Sequence, residues 1–320
     1  MKPLFTLAFL LFLAFAGFAQ QNVYYLKKNG RYVDIPDSAD YTRTINPIDG
    51  NPNLYIVTDV YKNGKTKMEA FSTKNSPAVS LEGKCTEYFQ SGIIQSRSIY
   101  TGNIKGGETS EYYPNGKLYR TIIYPTDGAR DNEIMARFTV VANYDSLGKA
   151  LVQNGKGFYK GYDWDFKYLN EWGKITDGKR DSTWHGEDKK YGFTFTEEYK
   201  DGKLIKGTSV KDGETFTYDG VNLRAPAFEG GVPAFSQFLS RNLKYPNEAR
   251  KNDIYGYVIL TFIVEKNGDV SDIRVARSAH PLLDQEAMRI LKKSPKWLPG
   301  LRHGIPVRVQ YSVPINFALQ

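Results

Sequence analysis

Two stretches of the chain align without a gap: TEYFQSGIIQSRSIY, from Thr86 to Tyr100, and SEYYPNGKLYRTIIY, from Ser110 to Tyr124, a spacing of 24 residues. Fainter copies begin at Val60 (VYKNGKTK) and Glu197 (EEYKDGKLIKG). Each copy reads as a hairpin. The aromatic half is a strand, the Asn, Ser or Asp plus Gly pair supplies residues able to take φ > 0 in a tight turn, and Lys-Leu or Ile-Ile opens the returning strand. A unit this small cannot bury its own apolar face, so its neighbours must cover it. The repeat therefore predicts a meander of antiparallel hairpins over roughly residues 50 to 220, with residues 21 to 50 and 125 to 170 fitting the pattern poorly. The 23 tyrosines and 29 glycines of this 320-residue chain point the same way, toward strands and turns rather than helix bundles.

At the N-terminus, Lys2 precedes an apolar run from Leu4 to Phe18, and Gly17 and Ala19 are small residues at the positions a signal peptidase reads before Gln20. Residues 1–19 are thus expected to be a signal peptide or a short anchor. Either reading exports the remainder of the chain, to the periplasm or envelope, with inner-membrane anchoring if the segment is kept. Export argues against nucleic acid as a partner, although the formal charge is +8. That charge is local: Val221 to Gln320 holds 14 Lys and Arg against 8 Asp and Glu. A lone cysteine, Cys85, excludes an internal disulfide and reads as a small buried residue.

Near Val221 the repeats stop. GGVPAFSQFLSRNL sets Phe235, Phe238 and Leu239 at helical spacing behind Pro233, and PNEARKN reads as a second short helix. YGYVILTFIVEKNGDVSDIRVARSA predicts two strands about a Lys-Asn-Gly-Asp turn, the first apolar on both faces and so central. PLLDQEAMRILKKSP predicts a helix with Leu283, Ala287, Ile290 and Leu291 inward, ended by Pro295. One more strand is expected from Ile305 to Phe317, with Val307, Val309, Tyr311, Val313, Ile315 and Phe317 on one face and Arg308, Gln310, Ser312, Pro314 and Asn316 on the other. Pro314 has no N–H to give. It is tolerated only where the lost donor would have faced an open side, so the even-numbered positions are expected to look out from a sheet edge.

The fold class expected is a mostly β, antiparallel-hairpin repeat region over 20–222, followed at 223–320 by a small α+β domain with a three-stranded antiparallel sheet and helices. The three histidines lie far apart, beside no Cys, Asp-x-His or Glu-x-x-His arrangement. His280 at a helix start reads as a cap, His185 as part of a Trp-His-Gly turn, and His303 as a loop residue. GKGFYKG lacks the context and ending of a phosphate loop. A non-enzymatic protein with no catalytic residues, metal or cofactor is expected.

The hairpin residues resemble MORN-type repeats of bacterial YwqK-like proteins. From about Pro226 to Phe317 the chain resembles the C-terminal domain of TonB energy transducers. Several signatures fall in order: PAFEGG, the YPxxA motif from Tyr245 to Ala249, Gly256 to Val258, the Asn-Gly hairpin ending in Gly268, LLDQEA, PKWLPG with Trp297 and Gly300, and PVxVxYxxPINF. The resemblance implies that an extended peptide of an outer-membrane receptor, the TonB box, adds as a strand to the last β-strand, supporting energised transport. Arg308, Gln310 and Ser312 would pair with it, Pro314 would end the ladder, and Arg250 with Tyr245 would flank it. ExbB and ExbD become partners only if residues 1–19 are retained, and a homodimer through the same edge is a further expectation. The chain departs from full transducers in lacking a histidine in residues 1 to 19 and in having only six of its fifteen prolines between residues 20 and 220. A passive periplasmic scaffold without motor coupling is the alternative.

Overall fold

The computed structural model describes residues 22–126 and 138–318, so the expected leader lies outside the described residues. The chain divides into two compact units, Met1–Ala150 and Leu151–Gln320.

The first unit is a run of strands: β1 (Asn22–Leu26), β2 (Tyr32–Val33), β3 (Tyr41–Ile48), β4 (Asn51–Tyr61), β5 (Thr66–Ser72), β6 (Leu81–Tyr88), β7 (Ile94–Thr101), β8 (Ile104–Tyr112), β9 (Leu118–Tyr124) and β10 (Thr139–Tyr144). β1 pairs with β2 and β3, and from β3 onward each strand pairs antiparallel with the next. The two aligned repeats are the hairpins β6/β7 and β8/β9. Cys85 is buried beside Ile45, Val57, Met68 and Ala70. Burial first, then the charge of Glu87, pushes its thiol up to about 12, which leaves it unreactive.

The Asn-Gly turns differ from the expectation that both residues take φ > 0. Only the glycines do, at 80° for Gly64 and 82° for Gly116. The turn is one residue longer than a two-residue loop, closing from the Tyr61 N–H to the Lys65 carbonyl at 2.8 Å and from Tyr113 to Lys117 at 2.8 Å. The asparagine is thereby freed to work sideways: Asn63 donates to the Gln90 carbonyl at 2.9 Å and Asn115 to the Ser146 carbonyl at 2.9 Å. Its neighbours do the same. Tyr61 and Tyr113 donate to the carbonyls of Tyr88 and Tyr144, each at 2.8 Å, while Lys65 and Lys117 reach those of Ser91 and Leu147. The Tyr-x-Asn-Gly-Lys motif is thus spent on joining one turn to the next.

In the second unit the meander is β11 (Ala150–Gln153), β12 (Lys156–Tyr162), β13 (Leu169–Thr176), β14 (Lys179–Asp188), β15 (Phe193–Lys200), β16 (Lys203–Lys211) and β17 (Glu214–Asp219), each antiparallel to the next. Here the turns are shorter. Asp201 and Gly202, and Asp212 and Gly213, all have positive φ, as a two-residue hairpin loop demands. His185 lies within β14 rather than in a turn, stacked on Trp172 of β13.

The same unit continues through β18 (Leu223–Arg224), β19 (Ala227–Phe228), α1 (Gly231–Asn242), α2 (Asn247–Lys251), β20 (Gly256–Val264), β21 (Val270–Arg277), α3 (Pro281–Lys292), β22 (Trp297–Leu298), β23 (Gly300–Arg302), β24 (Ile305–Val307) and β25 (Val309–Phe317). The expected order of helices and strands holds, with four short strands added. β20 is the centre of a three-stranded antiparallel sheet, β21–β20–β25. Its even residues Val258, Leu260, Phe262 and Val264 are buried with Val313, Ile315 and Phe317 of β25 against the α3 stripe Leu283, Ala287, Ile290 and Leu291. Each of these side chains other than Ala287 contributes about 1.5–3 kcal/mol by leaving water. His280 caps α3, its Nδ1 accepting from the Leu282 N–H.

Contrary to expectation, the strand from Ile305 to Phe317 is not continuous: Arg308 belongs to neither segment, β24 pairs with β23, and β25 pairs with β20. Alternation of apolar residues persists across the break because the buried residues of both segments, Ile305 and then Val313, Ile315 and Phe317, are odd-numbered, so periodicity alone shows no seam.

Candidate functional site

β25 is built by its odd residues, which anchor it to the core, and by Pro314, which fixes how its backbone points. Pro314 lies opposite Ile259 of β20 and cannot donate to it. Pairs in an antiparallel ladder alternate between hydrogen-bonded and not, so the Pro314 pair and those of Gln310, Ser312 and Asn316 are of the second kind. These four residues direct their main-chain groups away from β20, and all are exposed. Among the described residues β25 pairs with β20 alone, and the register runs unbroken from Val309 to Phe317. Nine residues of regular edge stand open.

The opposite margin differs. β21 carries two bulges against β20, and Asp272 within it has φ 49°. A bulged edge mis-aims the N–H and C=O groups that a further strand would need.

The two ends of β25 are held differently. At its start, the Arg308 Nε lies 3.0 Å from both carboxylate oxygens of Glu265. Glu265 also accepts from the Ser271 hydroxyl at the head of β21, so one carboxylate beyond the central strand touches β21 and the residue that leads into β25. These hydrogen bonds, Ser271 first and then Arg308, hold the Glu265 carboxyl below the usual range. At the far end, the Tyr245 ring meets Phe317 edge-on at 5.9 Å and donates its hydroxyl to the Ile254 carbonyl at 2.6 Å, while Arg250 lies over its face at 5.6 Å. Arg250, Tyr245 and the end of β25 are thus brought together, and Arg308 is at the opposite end.

The four motif residues lie behind this edge. Gly256 opens β20 at φ 146°, where a Cβ would crowd Ala279. Gly268 leaves room for the Trp297 carbonyl, which a Cβ would meet at 2.2 Å, and its own carbonyl accepts from Trp297 N–H at 2.8 Å. Trp297 is buried among Phe228, Phe235, Phe262 and Tyr311. Gly300 allows Val309, the first residue of β25, to approach. All four set the strand's position. Sequence reasoning missed Glu265, whose Glu-Lys-Asn-Gly context reads as an ordinary turn, and it missed His303, which is not in a free loop but packed on β15 and β17.

Residues 241–319 match the family model of the Gram-negative bacterial TonB protein C-terminal. The chain carries a TonB-like C-terminal region. That match covers β25, β20, β21 and all four motif residues, and it marks a TonB-like protein of the cell envelope with a protein-interaction domain. A search of curated proteins found no match to the chain. Among the described residues no helix is long and apolar enough to cross a membrane, and no group of three or more His, Cys, Asp or Glu is placed to hold a metal ion.

Proposed function

We propose that the open edge of β25 binds an extended peptide of an outer-membrane receptor by strand addition, supporting energised transport from the periplasm. The observation that carries this reading is the unbroken, outward-facing register from Val309 to Phe317 beside a second edge spoiled by bulges. The peptide backbone pairs with Gln310 and Ser312 and stops at Pro314. Arg250, stacked on Tyr245, flanks one end of the strand. Arg308 meets the other end, exchanging Glu265 for an acidic residue of the peptide. Cross-strand pairs contribute about 0.2–1 kcal/mol each, so roughly six of them give near-millimolar binding, which suits a contact that must release. The hairpins, with their likeness to MORN-type repeats, serve as a spacer in this reading, and coupling to ExbB and ExbD follows if residues 1–19 are retained.

The test is a titration of the isotope-labelled chain with a synthetic TonB-box peptide and a scrambled control. Amide shifts confined to residues 309–317 and their β20 partners are expected, with no response to the scrambled sequence. Shifts on β21, or equal response to both peptides, would sink the reading. Pairing of β25 with β25 of a second copy would appear instead as concentration-dependent sedimentation that the peptide suppresses.

A further inference from the structure

His303 sits in the turn between β23 and β24, two strands that lead through Arg308 directly into β25. Its own φ is 49° and that of Gly304 is 76°, so the turn is tight. Its ring stacks on Phe195 of β15 with centroids 4.3 Å apart, and its Nδ1 lies 3.1 Å from Glu197 Oε1 and 3.0 Å from the Tyr218 hydroxyl. Glu197 is fully buried. Hydroxyls of Tyr199 and Tyr218 donate to it at 2.8 and 2.9 Å, and Asn222 Nδ2 at 3.1 Å. A carboxylate has no hydrogen to offer, so Nδ1 of His303 must carry one. Burial pulls the Glu197 carboxyl up, but the His303 hydrogen bond and charge, with Tyr199 and Arg180, outweigh it and hold the group below the usual range.

The backbone is fastened at the same place. The Ser209 hydroxyl donates to the His303 carbonyl at 2.6 Å, the His303 N–H donates to the Asn222 carbonyl, and Leu223 pairs with Arg302 across β18 and β23. At the rim, Arg302 lies 2.8 Å from Asp188 and over the face of Tyr191 at 4.7 Å. Ile305 is buried with Phe193 and Phe195. Such a network of buried polar groups is costly to open, because each lost partner leaves a desolvated group behind.

We propose that this cluster is a force-carrying joint: it fixes β23 and β24 to the hairpins β15–β17, so that tension applied along β25 passes into the hairpins rather than turning the C-terminal elements on a loose tether. Its use in transduction rests on the docking reading, whereas its existence does not. Beyond the joint, Arg308 is the only residue between the held strand β24 and β25, and Glu265 holds it.

The experiment is amide relaxation on the full chain. In the wild-type protein, amides of β15 and β20 are expected to report one rotational correlation time. In His303→Asn combined with Gly304→Ala, whose Cβ would meet Tyr218 at 2.9 Å, the β20 value is expected to shorten by about twofold as the C-terminal elements tumble separately. Arg302→Ala removes only the rim contact and keeps the joint testable should the double variant unfold; amide exchange from Arg302 to Val307 is expected to rise about tenfold there. Separate tumbling in the wild type, or unchanged exchange in Arg302→Ala, overturns the joint. TonB-box titration of the same samples keeps the two readings apart, since lost docking with unified tumbling counts against docking alone.

Discussion

β21 and β25 are the two outer strands of one sheet and share β20 as their neighbour, yet their sequences treat that exposed position in opposite ways. β21 has two more residues than β20 can pair with over the same span, takes them up as bulges, and bends at Asp272. β25 keeps strict register over nine residues, and its proline falls where no donor is owed to β20. Protection of a sheet edge is the common condition, since a regular edge invites unwanted pairing. One margin is thus closed by geometry while the other keeps a regular register, in which the outward-facing position 314 has no N–H.

Neither margin survives if the strand they share is lost. Phe262→Ala removes a buried ring that touches both Trp297 and Tyr311, and a loss of about 3–5 kcal/mol is expected, read as a fall in the chemical denaturation midpoint of the C-terminal elements. A sharper test spares the fold. Gln310→Pro removes an outward N–H of β25, so peptide affinity should drop about fivefold by titration, about 1 kcal/mol, while Val275→Pro, at an outward-facing N–H of β21, should leave affinity unchanged. Equal losses from the two substitutions would mean that the edges are not distinct.

Straightening the closed margin should produce a weaker gain. Deletion of Asp272 removes one bulge, and concentration-dependent self-association in sedimentation is the expected result, absent from the parent chain. The smallest effect concerns Glu265, which reaches β21 and the residue just before β25. Its carboxyl is held low, so its contacts persist above the ordinary glutamate value of about 4.3 and are lost only as pH falls through the lower folded value. A carbonyl-carbon titration should place the midpoint below that of a free glutamate, and Glu265→Gln should change peptide affinity by no more than about threefold.

Much of this was legible from residue order because the relevant signals are local. Pro314 within an alternating run predicts an edge from donor counting alone, and Leu283, Ala287, Ile290 and Leu291 give the buried face of α3 from periodicity. The seam at Arg308 was not legible, since the buried residues on its two sides, Ile305 and then Val313, Ile315 and Phe317, are all odd-numbered. His303 was hidden for a different reason. Its partners Glu197 and Tyr218 lie 106 and 85 residues earlier, and nothing in the surrounding Leu-Arg-His-Gly-Ile marks a residue chosen for distant contacts. The Tyr-x-Asn-Gly-Lys repeat was visible as a turn, but its sideways donors became apparent only when the turns were set side by side.

Those donors all end on main-chain carbonyls, which any amino acid provides. A receiving turn such as Phe89 to Ile93 can therefore drift in sequence while its neighbour's hold on it stays intact. Selection can thus act on the gripping Tyr, Asn and Lys of one turn without constraining the side chains of the turn they hold.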